Sequence, residues 1–402
     1  MRAVGITAEY NPFHHGHQAQ IAAVRERFGA DTPIAAVLSG DFVQRGEAAA
    51  FSKFARAEAA VRCGVSLILE LPLPWSLSSA EGFARGAVGL LTATGVVDTI
   101  SFGSESGDLD AILRCASALE DGAFSAALRK HLSAGVSFAA ARERAAAELI
   151  GPEGAAPLRA PNDLLAVEYV RAAARLGVSP AFLPVKRTGS LHDGPGSASE
   201  LRRRMGAGEE WLSLIPAAAA ETYRRQLAAG RGPVTAESLR LPLLSRLRDR
   251  SEADFAAVPD AAEGIEHKLC RAARELDSPE AIAMAAKSKR YALSRLRRML
   301  LCAALGVKKG MADALPPYIR VLAMDEKGAA LLRAMRKTAT LPVIVKPALI
   351  RHAGENARAV FELGSAAHDL YVLGFADRAS QRGGEDPRTG PFRLGLTADP
   401  EK

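Results

Sequence analysis

The stretch Ala3-Val4-Gly5-Ile6-Thr7-Ala8, followed at once by Glu9-Tyr10-Asn11-Pro12-Phe13-His14-His15-Gly16-His17, decides how the rest of the chain is read. The first six residues are mostly small or β-branched and predict a buried strand. Asn11-Pro12 is a turn signal, and His15 to Phe28 then runs with helical periodicity up to Gly29. A His-x-Gly-His element therefore stands where a strand hands over to a helix. The first backbone N–H groups of a helix are unpaired and its dipole favours negative charge, so a phosphate belongs there. Gly16 clears the approach to the backbone. His14 and His17, three residues apart on one side of a helical turn, offer imidazole donors to charge that develops on a polyphosphate as it is cleaved, while His15 points elsewhere. A metal cluster and a plain surface cap stay open as readings, although no carboxylate stands at the usual helical spacing and no thiol is near.

Outward from this stretch the alternation continues. Pro33 to Ser39, Ser66 to Leu71 and Thr99 to Phe102 read as strands, and Lys53 to Cys63 reads as a helix closed by Gly64. The pattern predicts an α/β fold with a doubly wound parallel sheet, whose ligands sit at the carboxyl ends of the strands. That rule selects the loop Gly40 to Gly46, where Asp41, Gln44 and Arg45 are candidates for holding a small acid or a phosphate. Lys53 and Arg56 read either as anion partners or as solvated helix charges. Gly103, at a strand end, suits close approach of a ring or a ribose, or simply a turn. Residues 107 to 180 are helical and alanine-rich, with Asn162 placed as an N-cap or a ligand contact ahead of a helix from Leu164 to Leu176. A strand at Ala181 to Val185 leads into Lys186-Arg187-Thr188-Gly189 and then Ser197-Ala198-Ser199-Glu200-Leu201-Arg202. This repeats the first design and marks a second anion site at Ser197, Ser199 and Arg202.

With 402 residues and 48% apolar content, the chain has room for two or three domains. Its four cysteines are scattered, which suggests neither a disulfide framework nor a thiolate zinc site. No signal-peptide layout opens it and no run approaches a membrane span, so a cytoplasmic protein away from membranes is expected. The net charge of +7 favours a polyanionic partner. Between Lys287 and Lys309 stand eight basic residues and no acidic one, with Leu293, Leu296 and Leu300 at helical spacing. An amphipathic helix follows, whose face carries Lys287, Lys289, Arg290, Arg295, Arg297 and Arg298, with Tyr291 interleaved. RNA backbone, a solvated face and an acidic membrane are its possible counterparts.

His-x-Gly-His after an opening strand is the pattern of the nucleotidyltransferase superfamily. Together with Gly40-Asp41-Phe42-Val43-Gln44-Arg45-Gly46, Ser101-Phe102-Gly103-Ser104-Glu105, Pro161-Asn162-Asp163 and Lys186-Arg187-Thr188-Gly189, it resembles the tRNA(Met) cytidine acetate ligase family. The likeness continues through Glu263-Gly264-Ile265-Glu266, Lys289-Arg290-Tyr291 and Tyr318-Ile319-Arg320. It implies a ligase that forms acetyl-adenylate from ATP and acetate, releases pyrophosphate and acetylates the wobble cytidine of elongator tRNA(Met) to N4-acetylcytidine. It makes His14 and His17 catalytic. The ATP contacts it implies are Thr7, Ala8, Glu9, Tyr10, Asn11, Pro12, Phe13, His14, His15, Gly16, His17, Gln18, Ala19 and Gln20, joined by Gly103, Asn162 and Arg187. Gln20 departs from the family pattern, in which many relatives carry another histidine.

The expected organisation is a nucleotidyltransferase domain over residues 1–207, a basic helical tRNA-binding domain over 208–310, a small α/β segment packed on it over 311–375, and a flexible tail over 376–402. Chemistry supports an adenylate, since a carboxylate is a poor acyl donor and a cytosine amine a weak nucleophile; no cysteine lies in the motifs to carry a thioester. Mg²⁺ is expected with the triphosphate, with no metal site and no protein partner in the chain itself. Two alternatives are a small-molecule adenylyltransferase and a non-catalytic RNA-binding protein. The basic region argues against the first; His14, Gly16, His17 and Arg202 argue against the second.

Overall fold

The computed structural model describes residues 2–187, 196–262 and 264–396. Its strands are β1 (Ala3–Ala8), β2 (Ile34–Ser39), β3 (Phe42–Val43), β4 (Glu47–Ala48), β5 (Leu67–Leu71), β6 (Val97–Ser104), β7 (Ala181–Lys186), β8 (Ile319–Met324), β9 (Val343–Ile344) and β10 (Phe392–Arg393). Eight of them form one sheet in the order β10-β8-β5-β2-β1-β6-β7, with β9 also on β8; β3 and β4 make a separate antiparallel hairpin. From β5 through β7 all pairing is parallel, with Ile6 opposite both Ala36 and Ser101. Alternate residues face two cores, as the two-residue period of a strand requires. Ala35 and Val37 pack against α3 (Ala80–Ala93) and α7 (Pro161–Arg175), whereas Ile34, Ala36 and Leu38 pack on the side of α1 (His15–Phe28) and α2 (Lys53–Arg62). The doubly wound parallel core is the one the sequence predicts.

The expected domain boundaries are displaced. Beyond α8 (Ala198–Ala207), Trp211, Ile215, Ala219 and Tyr223 pack in the same core as Val4 and Ile6, so α9 (Ala217–Ala228) still belongs to the sheet unit. A separate helical core starts near Val234 and joins α10 (Arg240–Arg248), α11 (Glu252–Ala256), α12 (Ile265–Glu275), α13 (Pro279–Ala286) and α14 (Leu293–Leu305) to the end of α16 (Glu355–Tyr371). The segment 311–375 does not merely pack on that core: after it, β8 enters the main sheet antiparallel to β5, with Ile68 opposite Ala323, and α15 (Glu326–Thr338) follows.

Residues 376–396 are likewise no flexible tail. Phe392 pairs with Ala323 in the sheet, and Asp386 is fully buried between Lys53, at 2.6 Å, and Arg320, at 2.9 Å. Glu70 completes this cluster, accepting from Lys53 at 2.7 Å and Arg320 at 3.0 Å. A Gly/Pro/Arg/Asp composition signals flexibility only while no buried cation waits for the aspartate.

The expected helix over 287–309 begins at Leu293. Tyr291 is buried with its hydroxyl donating to the Ala262 carbonyl, and the Ser288 hydroxyl accepts from the Tyr291 N–H at 3.3 Å. These bonds hold 287–292 as a loop, so Lys287, Lys289 and Arg290 lie off the helix. Among the described residues, no helix is long and apolar enough to cross a membrane.

Candidate active site

His14 is the N-cap of α1, and it forms a reciprocal capping box with His17. The His14 Nδ1 accepts from the Gly16 N–H at 3.0 Å, and the His17 Nδ1 accepts from the His14 N–H at 3.2 Å. Two of the helix's unpaired donors are satisfied by imidazoles, where a serine and a glutamate usually serve. The rings lie 3.8 Å apart between centroids. With each Nδ1 acting as acceptor, the remaining proton of each neutral ring is on Nε2. Gly16 is required for the rings as much as for any ligand, since a Cβ there would stand 2.8 Å from the His14 Cε1.

The turn ahead of the helix is held from three sides. Arg56 of α2 donates to the Glu9 carbonyl at 2.6 Å, Arg202 of α8 donates to the Asn11 carbonyl at 2.9 Å, and the Phe13 N–H donates to the Tyr223 hydroxyl of α9 at 3.1 Å. Asn11 Oδ1 accepts from the Ala50 N–H at 2.8 Å. Glu9 reaches across to the hairpin and accepts from the Gln44 N–H at 2.8 Å; burial raises its pKa against that bond and the nearby arginines. Burial, followed by repulsion from Arg187, His15 and Arg202, lowers the His14 pKa to about 4. Burial and then His14 and Arg187 push His17 well below the ordinary imidazole value. At neutral pH both rings are uncharged donors.

A cavity of about 280 Å³ opens over these rings at the carboxyl ends of β1, β6 and β7. Of the expected ATP contacts it is lined by Thr7, Ala8, Glu9, Tyr10, His14, Gly16, His17, Ala19, Gln20, Gly103, Asn162 and Arg187. A smaller pocket of about 130 Å³ shares Glu9, His14, His17 and Arg187 and adds Ser197, Ser199 and Arg202, so the two signature stretches meet at one place. The cation-rich side of the larger cavity is Arg45, Lys186 and Arg187, which form no ion pair among the described residues. Its apolar side is Phe83, Phe102, Leu165 and Val185. Sequence reasoning missed Phe83, Leu165 and Val185 because they look like ordinary core residues, and it gave Phe102, which stands just before Gly103, no role of its own; only their position at strand ends and on α3 and α7 marks them.

Several of the expected residues lie off the larger cavity or hold other partners within the protein. Pro12 and Phe13 are buried under the turn, Asn11 lines only the smaller pocket, and His15 and Gln18 are exposed and paired with each other at 3.3 Å. Gln20 donates to the Ser101 hydroxyl at 3.3 Å, a packing bond to β6. Asn162 is not the N-cap: α7 begins one residue earlier, and the Asn162 Nδ2 donates to Glu105 at 2.6 Å while the Asp163 carboxylate accepts from the Glu105 and Ser106 N–H groups. Ser197 caps α8, accepting from the Glu200 N–H at 3.2 Å. Gln44 and Arg45 line the cavity, but Asp41 does not; it is buried against His368 at 2.7 Å. Lys53 and Arg56 are neither anion ligands nor solvated charges. Lys53 serves the buried ion cluster, and Arg56 spends its guanidinium on the carbonyls of Glu9, Ser39, Gly40 and Phe51. Thr188, Gly189 and Glu263 lie outside the described residues.

The six basic candidates divide. Arg297 is paired with Glu280 at 2.6 Å and Glu47 at 3.3 Å, Arg298 with Asp260 at 3.6 Å, and Arg295 donates to the Asp260 carbonyl at 2.6 Å and lies over the Tyr291 ring. These three bind the helical unit to itself and to the hairpin. Lys287, Lys289 and Arg290 are exposed. Among the described residues, no group of three or more His, Cys, Asp or Glu is placed to hold a metal ion.

Residues 1–386 match the HIGH Nucleotidyl Transferase family. The chain is 36% identical over 388 residues to the tRNA(Met) cytidine acetate ligase of Thermoanaerobacter sp., covering 93% of this chain and 96% of that one. It is 39% identical over 358 residues to the tRNA(Met) cytidine acetate ligase of Syntrophotalea carbinolica, covering 86% and 84%. A crystal structure of Thermotoga maritima TmcAL bound with alpha-thio ATP superposes with a TM-score of 0.92 at 34% identity, over 98% of this chain and 100% of that one. With a family match over residues 1–386, and relatives and a solved structure alike over most of their length, the chain belongs to the tRNA(Met) cytidine acetate ligase family of HIGH nucleotidyl transferases and is a ligase.

Proposed function

We propose that this chain joins acetate to the α-phosphate of ATP and passes the acetyl group to the wobble cytidine of elongator tRNA(Met). The observation that carries the reading is the meeting of the His14–His17 pair, Arg187 and the Ser197–Arg202 stretch around one pocket of about 130 Å³, which shares residues with the larger cavity at the strand ends. Uncharged Nε2–H donors suit a phosphate that gains negative charge only in the transition state, because they add no ground-state charge attraction of their own. Arg187, Arg202 and the start of α8 take the leaving pyrophosphate, and the apolar side, Phe102, Leu165 and Val185, takes the adenine.

In the first step a carboxylate oxygen of acetate bonds to the α-phosphorus as the bond to the β-phosphate oxygen breaks. In the second the cytosine amine bonds to the acetyl carbon, AMP departs and one amine proton is released. Mg²⁺ enters with the triphosphate. The exposed loop residues Lys287 and Lys289 are the basic groups offered to RNA backbone.

Incubating the protein with radiolabelled acetate, ATP and unmodified tRNA(Met) tests this. ATP-dependent label on the RNA is expected. Pyrophosphate release with no label transfer would leave an adenylate-forming enzyme with a different acceptor, and the absence of both would remove the catalytic reading.

A further inference from the structure

A second cleft, of about 550 Å³, opens between the hairpin, the turn 233–239, α8, α10 and α14. Its walls are mainly aliphatic, with Ala48, Val234, Leu243 and Leu300 among them, and the charged Glu237, Arg240, Glu280 and Arg297 also line it. Two residues line both this cleft and the small pocket beside His14 and His17: Glu47 and Arg202. The spaces therefore adjoin at that pair, and Glu47 is the one carboxylate common to both among the described residues. It is held in place. Its carboxylate lies 3.7 Å from Arg202 Nε and 3.3 Å from Arg297 Nη1, and Arg297 is itself fixed by the two bonds it donates to the Glu280 carboxylate, at 2.6 and 2.8 Å. The neighbouring Gly46 has φ +79°, and a Cβ there would stand 2.6 Å from the Arg298 backbone nitrogen, so the hairpin is pressed onto α14.

We propose that this cleft seats the acceptor pyrimidine, with the ring between aliphatic walls and its exocyclic amine donating to Glu47. The inference rests on the ligase reading and names where its second substrate binds. A carboxylate accepts from a cytosine amine and repels the carbonyl that uracil carries at the same position, so one residue both selects the base and aims its amine at the adjoining pocket. Enzymes that act on an extruded base hold it between aromatic or apolar side chains and read its Watson–Crick edge by hydrogen bonds. As the nitrogen–carbon bond forms and the bond from the acetyl carbon to the phosphate oxygen breaks, AMP leaves and the amine proton passes to Glu47 and on to water.

The test compares acetate-dependent ATP–pyrophosphate exchange with acetyl transfer to tRNA(Met) in the full chain, in Glu47→Gln and in Ala236→Trp, which fills the cleft from its exposed rim. Transfer is expected to fall about tenfold or more relative to exchange in both variants, and Glu47→Gln to narrow the preference for cytosine over uracil in anticodon-loop oligonucleotides. Equal loss of both activities, or loss of neither, overturns the cleft while leaving the ligase reading intact. If the unsubstituted protein transfers no acetyl group to tRNA, the ligase reading falls and takes the cleft with it.

Discussion

His14 and His368 are both buried imidazoles, 8% and 1% exposed, yet their surroundings drive them in opposite directions. Around His14 burial and the positive charges of Arg187 and Arg202 lower the pKa to about 4. Around His368 burial works the same way, but the Asp41 carboxylate at 2.7 Å overrides it and raises the pKa to about 9. Around the first, Arg45, Lys186 and Arg187 form no ion pair among the described residues, whereas around the second Lys53, Arg320 and His368 each meet a carboxylate. Unmatched charge is free to meet a ligand; matched charge holds the polypeptide together, here by tying α2, α16 and the last described segment to the sheet.

The sharpest way to break this division is to remove one charge from the matched side. Asp386→Asn leaves Lys53 and Arg320 short of a carboxylate in a buried site, and should cost about 3–5 kcal/mol in urea unfolding. The protein that remains folded should keep its ATP–pyrophosphate exchange. Should stability hold and exchange collapse instead, the cluster belongs to the active site and the division is misdrawn.

His14→Ala should give the mirror image. Loss of one transition-state donor corresponds to roughly a hundredfold to a thousandfold drop in adenylate formation, about 2.7–4 kcal/mol. The lost cap should lower stability by only about 1 kcal/mol. Single-turnover adenylation beside an unfolding curve separates the two numbers.

A pH series compares the two histidines directly. His14 is lowered in the folded state, so the stability tied to its neutral form is present above about pH 6.5 and disappears as pH falls toward about 4. His368 is raised, so its contribution is present below about pH 6.5 and disappears as pH rises toward about 9. Each arm spans at most about 3.4 kcal/mol at 1.36 kcal/mol per pH unit. His14→Gln should flatten the acid arm and His368→Gln the alkaline one; a variant that flattens the wrong arm would contradict the environments described.

How far the two regions could be read from the sequence follows from the same distinction. The strand Ala3–Ala8, the turn at Asn11-Pro12 and the helix from His15 are local signals, and the cavity lies beside them, lined by Thr7, Glu9, His14, Gly16 and His17. The matched charges are not local. Nothing in Lys53-Phe54-Ala55-Arg56 tells a solvated helix face from a buried one, because the partners, Glu70 and Asp386, come from a strand and from a segment whose composition reads as flexible. Similarly, β8 is a clear apolar strand, but its place in the sheet depends on pairing with β5 across the whole helical unit. Glu47 carries no signal at all until the fold sets Arg202 and Arg297 on either side of it.

The smallest effect, and the finest division, lies within one basic stretch. Arg297 is matched by Glu280 and Glu47, whereas Lys287 and Lys289 are exposed on the loop before α14. Arg297→Glu should therefore loosen the hairpin and reduce exchange and transfer together, since like charges would then face one another at Glu47 and Glu280. Lys287→Glu and Lys289→Glu should leave the unfolding curve within about 0.5 kcal/mol of the parent, as surface substitutions usually do. Each should weaken tRNA binding and lower the slope of log affinity against log salt by about 1, the signature of one lost phosphate contact. A salt slope unchanged by both lysine variants but reduced by Arg297→Glu would mean that the RNA path crosses the hairpin and not the loop, and that the matched arginine opens its ion pairs when RNA arrives.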